Sequence, residues 1–446
     1  THTTGAPSTR ARSTRPLIFA TTASRSWALP TAPSWTSTTR RAVLGRSGRV
    51  VHGLLLRRAG TDSGLLATLV TTMQCDYFDA GRCRSCTLMG TSYEAQLADK
   101  VARAQQTLEG VDANPTWLPP QPSPESGFRN KAKLVVGGSV DSPTLGILDG
   151  RGQGVDLREC GIHERGLYAV LPRLAAFVTE ARITPYDVPH RRGELKNLIV
   201  THSPYEELMI RWVLRSREAL GRINSALPQL ITDLPQIAVA SVNVHPEHKA
   251  VLEGNTELVL SQRHTMPMKV NESTLHLHPR SFFQTNTAVA ASLYRQAAAW
   301  VDSLAPQSVW DLYCGVGGFA LHAAAPTRQV LGVEVSSEAI SSAQLSAHEH
   351  GAASVTFVTA DATAYAQSHP APDLVIVNPP RRGLGSDLAH TIETSRARHL
   401  IYSSCNVDTL ARDLAAMPSF VALEARVFDM FPQSMHQEVM VLASRA

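Results

Sequence analysis

From about Leu275 onward, short apolar runs alternate with amphipathic stretches in the order strand, glycine-rich turn, helix, strand. The run from Ser308 to Leu312 enters a glycine-rich turn that ends at Phe319, and residues 320–325 are helical in character. Residues 329–334 form the next apolar run and 337 to about 351 a helix. Residues 355–358, 373–380 and 399–405 read as three further buried strands. Such alternation predicts βα units and a doubly wound, mostly parallel sheet, with ligands outside the strand carboxyl ends. Upstream the pattern differs. Residues 133–136, 208–213, 239–244 and 257–260 are short β-like runs separated by turns, which predicts a small mixed α/β domain. A helix is expected over about 92–108, where Thr91 with Glu94 fits a capping box and Leu97, Val101, Ala104 and Leu108 mark one face. The proline-rich run 115–124 reads as a linker.

Composition separates the first 72 residues from the rest. They hold ten arginines, no lysine and one acid, Asp62, whereas residues 73–446 are mildly acidic, so the net charge of +4 describes neither part. The segment is rich in Ser and Thr and shows no sustained period. An organelle transit peptide, a disordered basic arm and translated sequence upstream of the true start all fit it, and the third is favoured because every methionine lies at or after Met73. The expected division is therefore 1–72, a disordered or non-native extension; 73–125, a cysteine-rich segment, helix and linker; 126–268, a central domain; and 269–446, the α/β domain. At 43% hydrophobic residues the body can bury a core, yet no run reaches the ~18 apolar residues of a membrane span. Six cysteines in 446 residues are too few for a disulfide framework, so a cytoplasmic enzyme is the expectation.

Two clusters carry chemistry. In Asp311-x-x-x-Gly315-x-Gly317-Gly318, glycines permit a tight turn and close approach of a ligand to the backbone. Glu334 ends the next strand, where an acid can bind both hydroxyls of a ribose, and Asn378-Pro-Pro380 ends a later one. The dinucleotide pattern G-x-G-x-x-G is absent, so nothing argues for pyrophosphate binding, and with Glu334 and Asn378-Pro-Pro380 at these strand ends S-adenosylmethionine is the better reading. Cys75, Cys83 and Cys86, with Cys160 far downstream, supply four thiolates that fit a structural zinc or a [4Fe–4S] cluster. Their three-plus-one spacing suits the cluster better.

Five motifs, in order, resemble the RNA uracil-C5 methyltransferases: Ser281-Phe-Phe-Gln-Thr-Asn286, Asp311-Leu-Tyr-Cys-Gly-Val-Gly-Gly-Phe319, Asn378-Pro-Pro-Arg-Arg-Gly383, Tyr402-Ser-Ser-Cys-Asn406 and His436-Gln-Glu438. The cysteine segment 73–86, Phe128-Arg-Asn-Lys-Ala-Lys133 and Arg191-Arg-Gly-Glu-Leu-Lys196 resemble the branch that modifies a U747-type uridine of 23S rRNA. The resemblance covers Met73 to Ala446 and none of residues 1–72. It implies a C-terminal Rossmann-like S-adenosylmethionine-dependent methyltransferase domain and a smaller mixed α/β central domain carrying a [4Fe–4S] cluster on Cys75, Cys83, Cys86 and Cys160. It further implies cofactor contacts from Gln284, Tyr313, Glu334 and Asn378, a nucleophile in Cys405 and a proton-abstracting base in Glu438. Tyr313 stands where many relatives carry Phe, and Asn378 where other branches carry Asp. The small β-barrel RNA-binding domain of some members has no counterpart pattern in 1–72.

The partner implied is 23S rRNA, presenting an unpaired or flipped uridine. Phe128, Arg129 and Lys131 form one candidate RNA contact, with Lys133 on the same face of an extended strand; Arg191 and Lys196 with Arg192 form a second. Other uridines of rRNA or tRNA would be served by identical chemistry. An amino-group methyltransferase would share Asn378-Pro-Pro380, but its fourth residue is aromatic, where this chain has Arg381. A lapsed, non-enzymatic iron–sulfur RNA-binding protein is opposed by the intact Cys405 and Glu438.

Overall fold

The computed structural model describes residues 73–249 and 251–446, so the reading of 1–72 lies outside the described residues. The described residues open with α1 (Asp76–Asp79), α2 (Tyr93–Glu109) and β1 (Thr116–Trp117). Then follow β2 (Lys131–Gly138), β3 (Pro143–Leu148), β4 (Gly154–Asp156), α3 (Arg165–Glu180), β5 (Leu195–His202) and β6 (Leu208–Leu214). Next come α4 (Leu220–Asp233), β7 (Ile237–Val244), β8 (Thr256–Val259) and the hairpin β9 (Met266–Val270) and β10 (Ser273–Leu277). The remainder alternates: α5 (Thr287–Leu304), β11 (Ser308–Leu312), α6 (Gly318–His322), β12 (Gln329–Glu334), α7 (Ser337–His350), β13 (Val355–Thr359) and α8 (Ala362–Ser368). It closes with β14 (Leu374–Val377), α9 (Ser386–Thr394), β15 (His399–Ser404), α10 (Val407–Ala415), β16 (Phe420–Phe428) and β17 (Glu438–Arg445).

Two large sheets result. The first has the order β4-β3-β2-β5-β6-β7-β8, with Phe177 of α3 packed on Trp212 at 5.2 Å between ring centroids. The second has the order β1-β16-β17-β15-β14-β11-β12-β13. Its strands β15, β14, β11, β12 and β13 are parallel, and β17 runs antiparallel to both β15 and β16. This is the doubly wound expectation with an antiparallel hairpin added at one side. The order reverses between β14 and β11, and in such sheets the crevice at that reversal receives the ligand. One apolar core joins the sheets: Met209 and Val239 share it with Met266, Met268, Leu293 and Val301. Burial of this kind contributes roughly 25 cal/mol per Å² of apolar surface, so the hairpin and α5 act as the mortar between the layers.

Local details correct four expectations. The N-cap of α2 is Ser92, whose hydroxyl accepts from the Ala95 N–H, whereas the Thr91 carbonyl accepts from the Gln96 side chain. The run 115–124 is not only a linker, because β1 pairs in parallel with β16 at the sheet edge. Residues 320–325 are not a helix of that length; α6 ends at His322. Strand β5 was not expected, although all eight of its residues are buried. Among the described residues no helix is long and apolar enough to cross a membrane.

Candidate active site

Antiparallel pairing places the reacting groups. Strand β15 ends at Ser404 beside Val439, so Cys405, the next residue, stands close to Glu438 at the start of β17. Cys405 occupies the turn into α10, whose N-cap Asn406 accepts from the Asp408 N–H at 3.1 Å. Burial and then Glu438 raise the Cys405 thiol above its usual range, while the charge and hydrogen bond of Arg381 oppose them. The neighbouring Arg381 is itself held by the fold. Its carbonyl accepts from Asn406 Nδ2 at 3.2 Å and from Thr409 Oγ1 at 3.3 Å. Gly383, at φ +81°, lets its loop turn tightly against Asp413, whose carboxylate accepts from the Leu384 N–H and the Tyr402 hydroxyl, each at 2.7 Å. Cys405, Arg381, His436, Met435 and Arg103 line a cavity of about 230 Å³.

Glu438 is 2% exposed, and burial pushes its carboxyl up to about 7. Ser403, wholly buried, donates to Glu438 Oε1 at 2.5 Å. A carboxyl poised near neutrality suits proton abstraction at physiological pH.

The second half of the site lies at the carboxyl ends of β11, β12 and β14. Tyr313 adopts φ +63°, an uncommon conformation for a side chain of its size, and Gly315 and Gly317 continue the left-handed turn. A Cβ on Gly317 would stand 2.7 Å from the Phe357 ring, so only glycine fits there. Glu334 accepts from the Gly315 N–H at 3.3 Å and the Ser336 N–H at 3.0 Å, which leaves lone pairs for two hydroxyls. Asp311 is fully buried; the Ala320 N–H reaches Oδ2 at 2.9 Å, Oδ1 has no partner among the described residues, and burial raises its carboxyl to about 8. Gln284 is buried, with its carbonyl accepting from Asn130 Nδ2 at 3.1 Å, and Asn378 is half-buried beyond the end of β14. Tyr313, Glu334 and Asn378 thus share the ligand edge, and the turn and Glu334 fit a nucleoside's ribose and the backbone-hugging remainder of S-adenosylmethionine.

The remaining predicted residues are distributed differently. Cys75, Cys83, Cys86 and Cys160 are free and half-buried. Burial lifts the Cys86 thiol to about 11, and Cys160, Cys83 and Cys75 add to the rise, so the four thiols lie within electrostatic reach of one another. They are not closed into a ligating shell, since among the described residues no group of three or more His, Cys, Asp or Glu stands at metal-holding separation. Arg129 leans toward this nest, opposing the rise at Cys86 and Cys160, and its guanidinium lies 6.0 Å from the Phe431 ring. Phe128 is buried at 5% exposure, so its ring is packing and offers no open face to a base. Lys131 and Lys133 share one face of β2, as the alternation requires; burial lowers the Lys131 ammonium to about 8, and Lys133 pairs with Glu253 at 3.4 Å. Lys196 is buried over the Tyr186 ring and donates to the Glu247 carbonyl, whereas Arg191 is exposed. Sequence reasoning missed Ser403 and Arg103. The tyrosine-to-cysteine motif contained Ser403 but gave no partner for it, and no sequence signal marks Arg103.

A Rossmann-like sheet with a glycine turn, an acid ending the second strand and a nucleophile beyond a later one defines an S-adenosylmethionine-dependent methyltransferase. Residues 254–446 match the family described as tRNA (Uracil-5-)-methyltransferase. The chain is 47% identical to a 23S rRNA (uracil(747)-C(5))-methyltransferase of Halothiobacillus neapolitanus over 84% of this chain and 100% of that protein. It is 44% identical to the protein of the same name from Pectobacterium carotovorum, over 84% and 100%. The crystal structure of a Pyrococcus abyssi tRNA (uracil-54, C5)-methyltransferase with S-adenosyl-L-homocysteine superposes with a TM-score of 0.67 at 24% identity, covering 80% of this chain and 85% of that one, and so shares its fold. The chain belongs to the RNA uracil-C5 methyltransferase family.

Proposed function

We propose that this protein methylates C5 of one uridine in 23S rRNA, of the uracil-747 kind for which its relatives are named. The observation that carries the reading is the adjacency of Cys405, Arg381 and Glu438 at the edge of the cofactor crevice. Uracil C5 is a weak nucleophile until a thiolate adds at C6. Arg381 favours the Cys405 thiolate against burial, and that thiolate forms the bond to C6 while the ring electrons move to C5. S-adenosylmethionine supplies the methyl group as an electrophilic sulfonium. Tyr313, Glu334, Asn378 and Gln284 orient it. Glu438 then takes the C5 proton; the C–H pair forms the C5–C6 double bond, and the C6–S bond breaks to return the thiolate.

The four cysteines fit a [4Fe–4S] cluster in donor type and number and lie within electrostatic reach of one another, and Cys75, Cys83, Cys86 and Cys160, drawn to ligating separation, would hold it and join the N-terminal segment to the central domain. The cluster has no step in methyl transfer. RNA capture is assigned to the central domain, with Arg191 and Lys133 as its exposed contacts and half-buried Lys131 beside Lys133 on the same face. The domain division stated above follows the same reading, amended by β1 joining the C-terminal sheet.

The test supplies enzyme and labelled cofactor to unmodified rRNA and tRNA and maps the methylated nucleotide by mass spectrometry. Methyl on a 23S uridine is expected; methyl only in tRNA refutes the substrate. Cys405→Ala is expected to abolish transfer and leave calorimetric cofactor binding intact, and retained turnover refutes the nucleophile.

A further inference from the structure

We infer that Ser403 is a positioning residue for Glu438, holding its carboxylate in the ionised, aimed form that removes the C5 proton. The inference rests on the proposed role of Glu438 as base. Ser403 points inward from β15 and is wholly buried, so its hydroxyl has no water to satisfy it. Among the described residues its one side-chain hydrogen bond goes to Glu438 Oε1, across the antiparallel pairing, at 2.5 Å. That bond fixes one carboxylate oxygen and leaves Oε2 for the proton. A hydroxyl donating to a carboxylate stabilises the charged form, and this is the influence opposing burial at Glu438 among the described residues. The titratable groups around the carboxyl do not supply that help. Tyr294 of α5 and Cys405 feel its charge as a repulsion, and Arg381 and His436 line the cavity at Cys405. The position is therefore specific: a buried apolar residue at 403 would leave Glu438 protonated over much of the neutral range, unable to accept the C5 proton. The nucleophile would not be weakened, because Arg381 stabilises it from the opposite loop and a protonated Glu438 no longer repels its thiolate.

The experiment follows a single turnover on a 23S rRNA fragment containing the target uridine, with labelled S-adenosylmethionine, from pH 6 to 9.5. Methyl transfer is read as label in RNA, and release as decay of the protein–RNA band on a denaturing gel. In Ser403→Ala the acid limb of release is expected to move up by about one unit, giving roughly fivefold slower release at pH 7 and near recovery at pH 9. The acid limb of methyl transfer should not move up with it, since a protonated Glu438 only eases ionisation of Cys405, and Ser403→Thr should restore release. A Ser403→Ala enzyme with the wild-type release profile overturns the inference. So does a loss that neither pH 9 nor Ser403→Thr repairs, which would mark a packing role. Glu438→Gln is run alongside. If it accumulates adduct at every pH while Ser403→Ala behaves as wild type, only the Ser403 inference falls; if it releases normally, the base assignment falls and takes this inference with it.

Discussion

Replacing Glu438 by Gln should stabilise the protein in a pH-dependent way. The carboxyl is 2% exposed and raised from 4.5 to about 7 by burial. A folded-state pKa above the unfolded one means that the carboxyl's contribution to stability is fully present below about 4.5 and is lost as pH rises through about 7. Integrating between those values, ionisation of Glu438 costs the fold about 1 kcal/mol at pH 5 and about 3 kcal/mol at pH 8. Glutamine removes that charge. Its amide brings a pH-independent penalty of ~1–3 kcal/mol if the new N–H₂ finds no acceptor. The informative quantity is therefore the difference between the two pH values, in which that penalty cancels. Urea unfolding of wild type and Glu438→Gln at pH 5 and pH 8 should show the variant gaining about 2 kcal/mol relative to wild type between them. Asp311 is raised as well, but it is present in both proteins and drops out of the comparison. A difference that does not change with pH would falsify the buried, neutral-poised carboxyl on which the base assignment depends.

Lys100 and Asp429 form an ion pair at 2.6 Å with both side chains fully buried; Lys100→Met, leaving Asp429 unpaired, is expected to cost ~3–5 kcal/mol in urea unfolding, much of it recovered by Lys100→Met with Asp429→Leu. Recovery of nothing in the double variant would mean that the pair does more than neutralise itself. Arg191→Ala should weaken rRNA binding and lower the slope of log affinity against log salt by about 1 with stability unchanged, whereas buried Lys196→Ala should lower the urea midpoint; equal salt slopes in Arg191→Ala and wild type would remove Arg191 from the interface. Anaerobically purified protein should be brown with about four iron atoms and no stoichiometric zinc, and Cys83→Ser should lose the colour; a colourless wild type holding one zinc decides for the other ligand.

The parallel half of the fold was legible because its strands are unbroken apolar runs ending in motif residues. Strand β5 was not, since Lys196, Asn197 and His202 interrupt its pattern. They are buried nonetheless because each has a partner of its own or a place in the ladder: Lys196 reaches the Glu247 carbonyl, and His202 sits between Glu164 and Glu206 at 2.7 and 3.2 Å. Strand β1 hid among prolines, which a sheet tolerates at an edge, where β1 lies. At the cap of α2, Thr91 and Ser92 offer adjacent hydroxyls, and only the backbone entry angle selects Ser92. Cys405 and Glu438 were named from motifs in the chain, but Ser403 meets Glu438 only through the β15–β17 pairing, Arg381 is held by Asn406 and Thr409 at the start of α10, and Arg103 reaches Asp408 only through the packing of α2 beside α10. Phe128 and Lys196 show the converse: a basic-aromatic string reads as an RNA surface, and the fold uses part of it as core.

The same long-range packing ties the cysteine segment to the chemistry. The loop 429–437 leads directly into Glu438, and the N-terminal segment grips it at several points. The Leu88 N–H donates to the Gln433 carbonyl. Gln96 and Gln433 exchange two hydrogen bonds, each at 2.9 Å, and Gln433 holds φ +65°, a conformation that needs such external support. Lys100 reaches both Asp429 and the Phe431 carbonyl, and Arg129, whose charge acts on Cys86 and Cys160, stands over the Phe431 ring. Residues 88–100 and 129 thus form one side of the loop whose other end carries the base. A cysteine segment that loses its order should therefore lose release of product along with RNA binding. Cys83→Ser should accumulate the covalent protein–RNA band relative to wild type at equal methyl transfer. If release per bound RNA is unchanged in that variant, the segment acts on RNA capture alone and the contacts at Gln433 serve only to dock it.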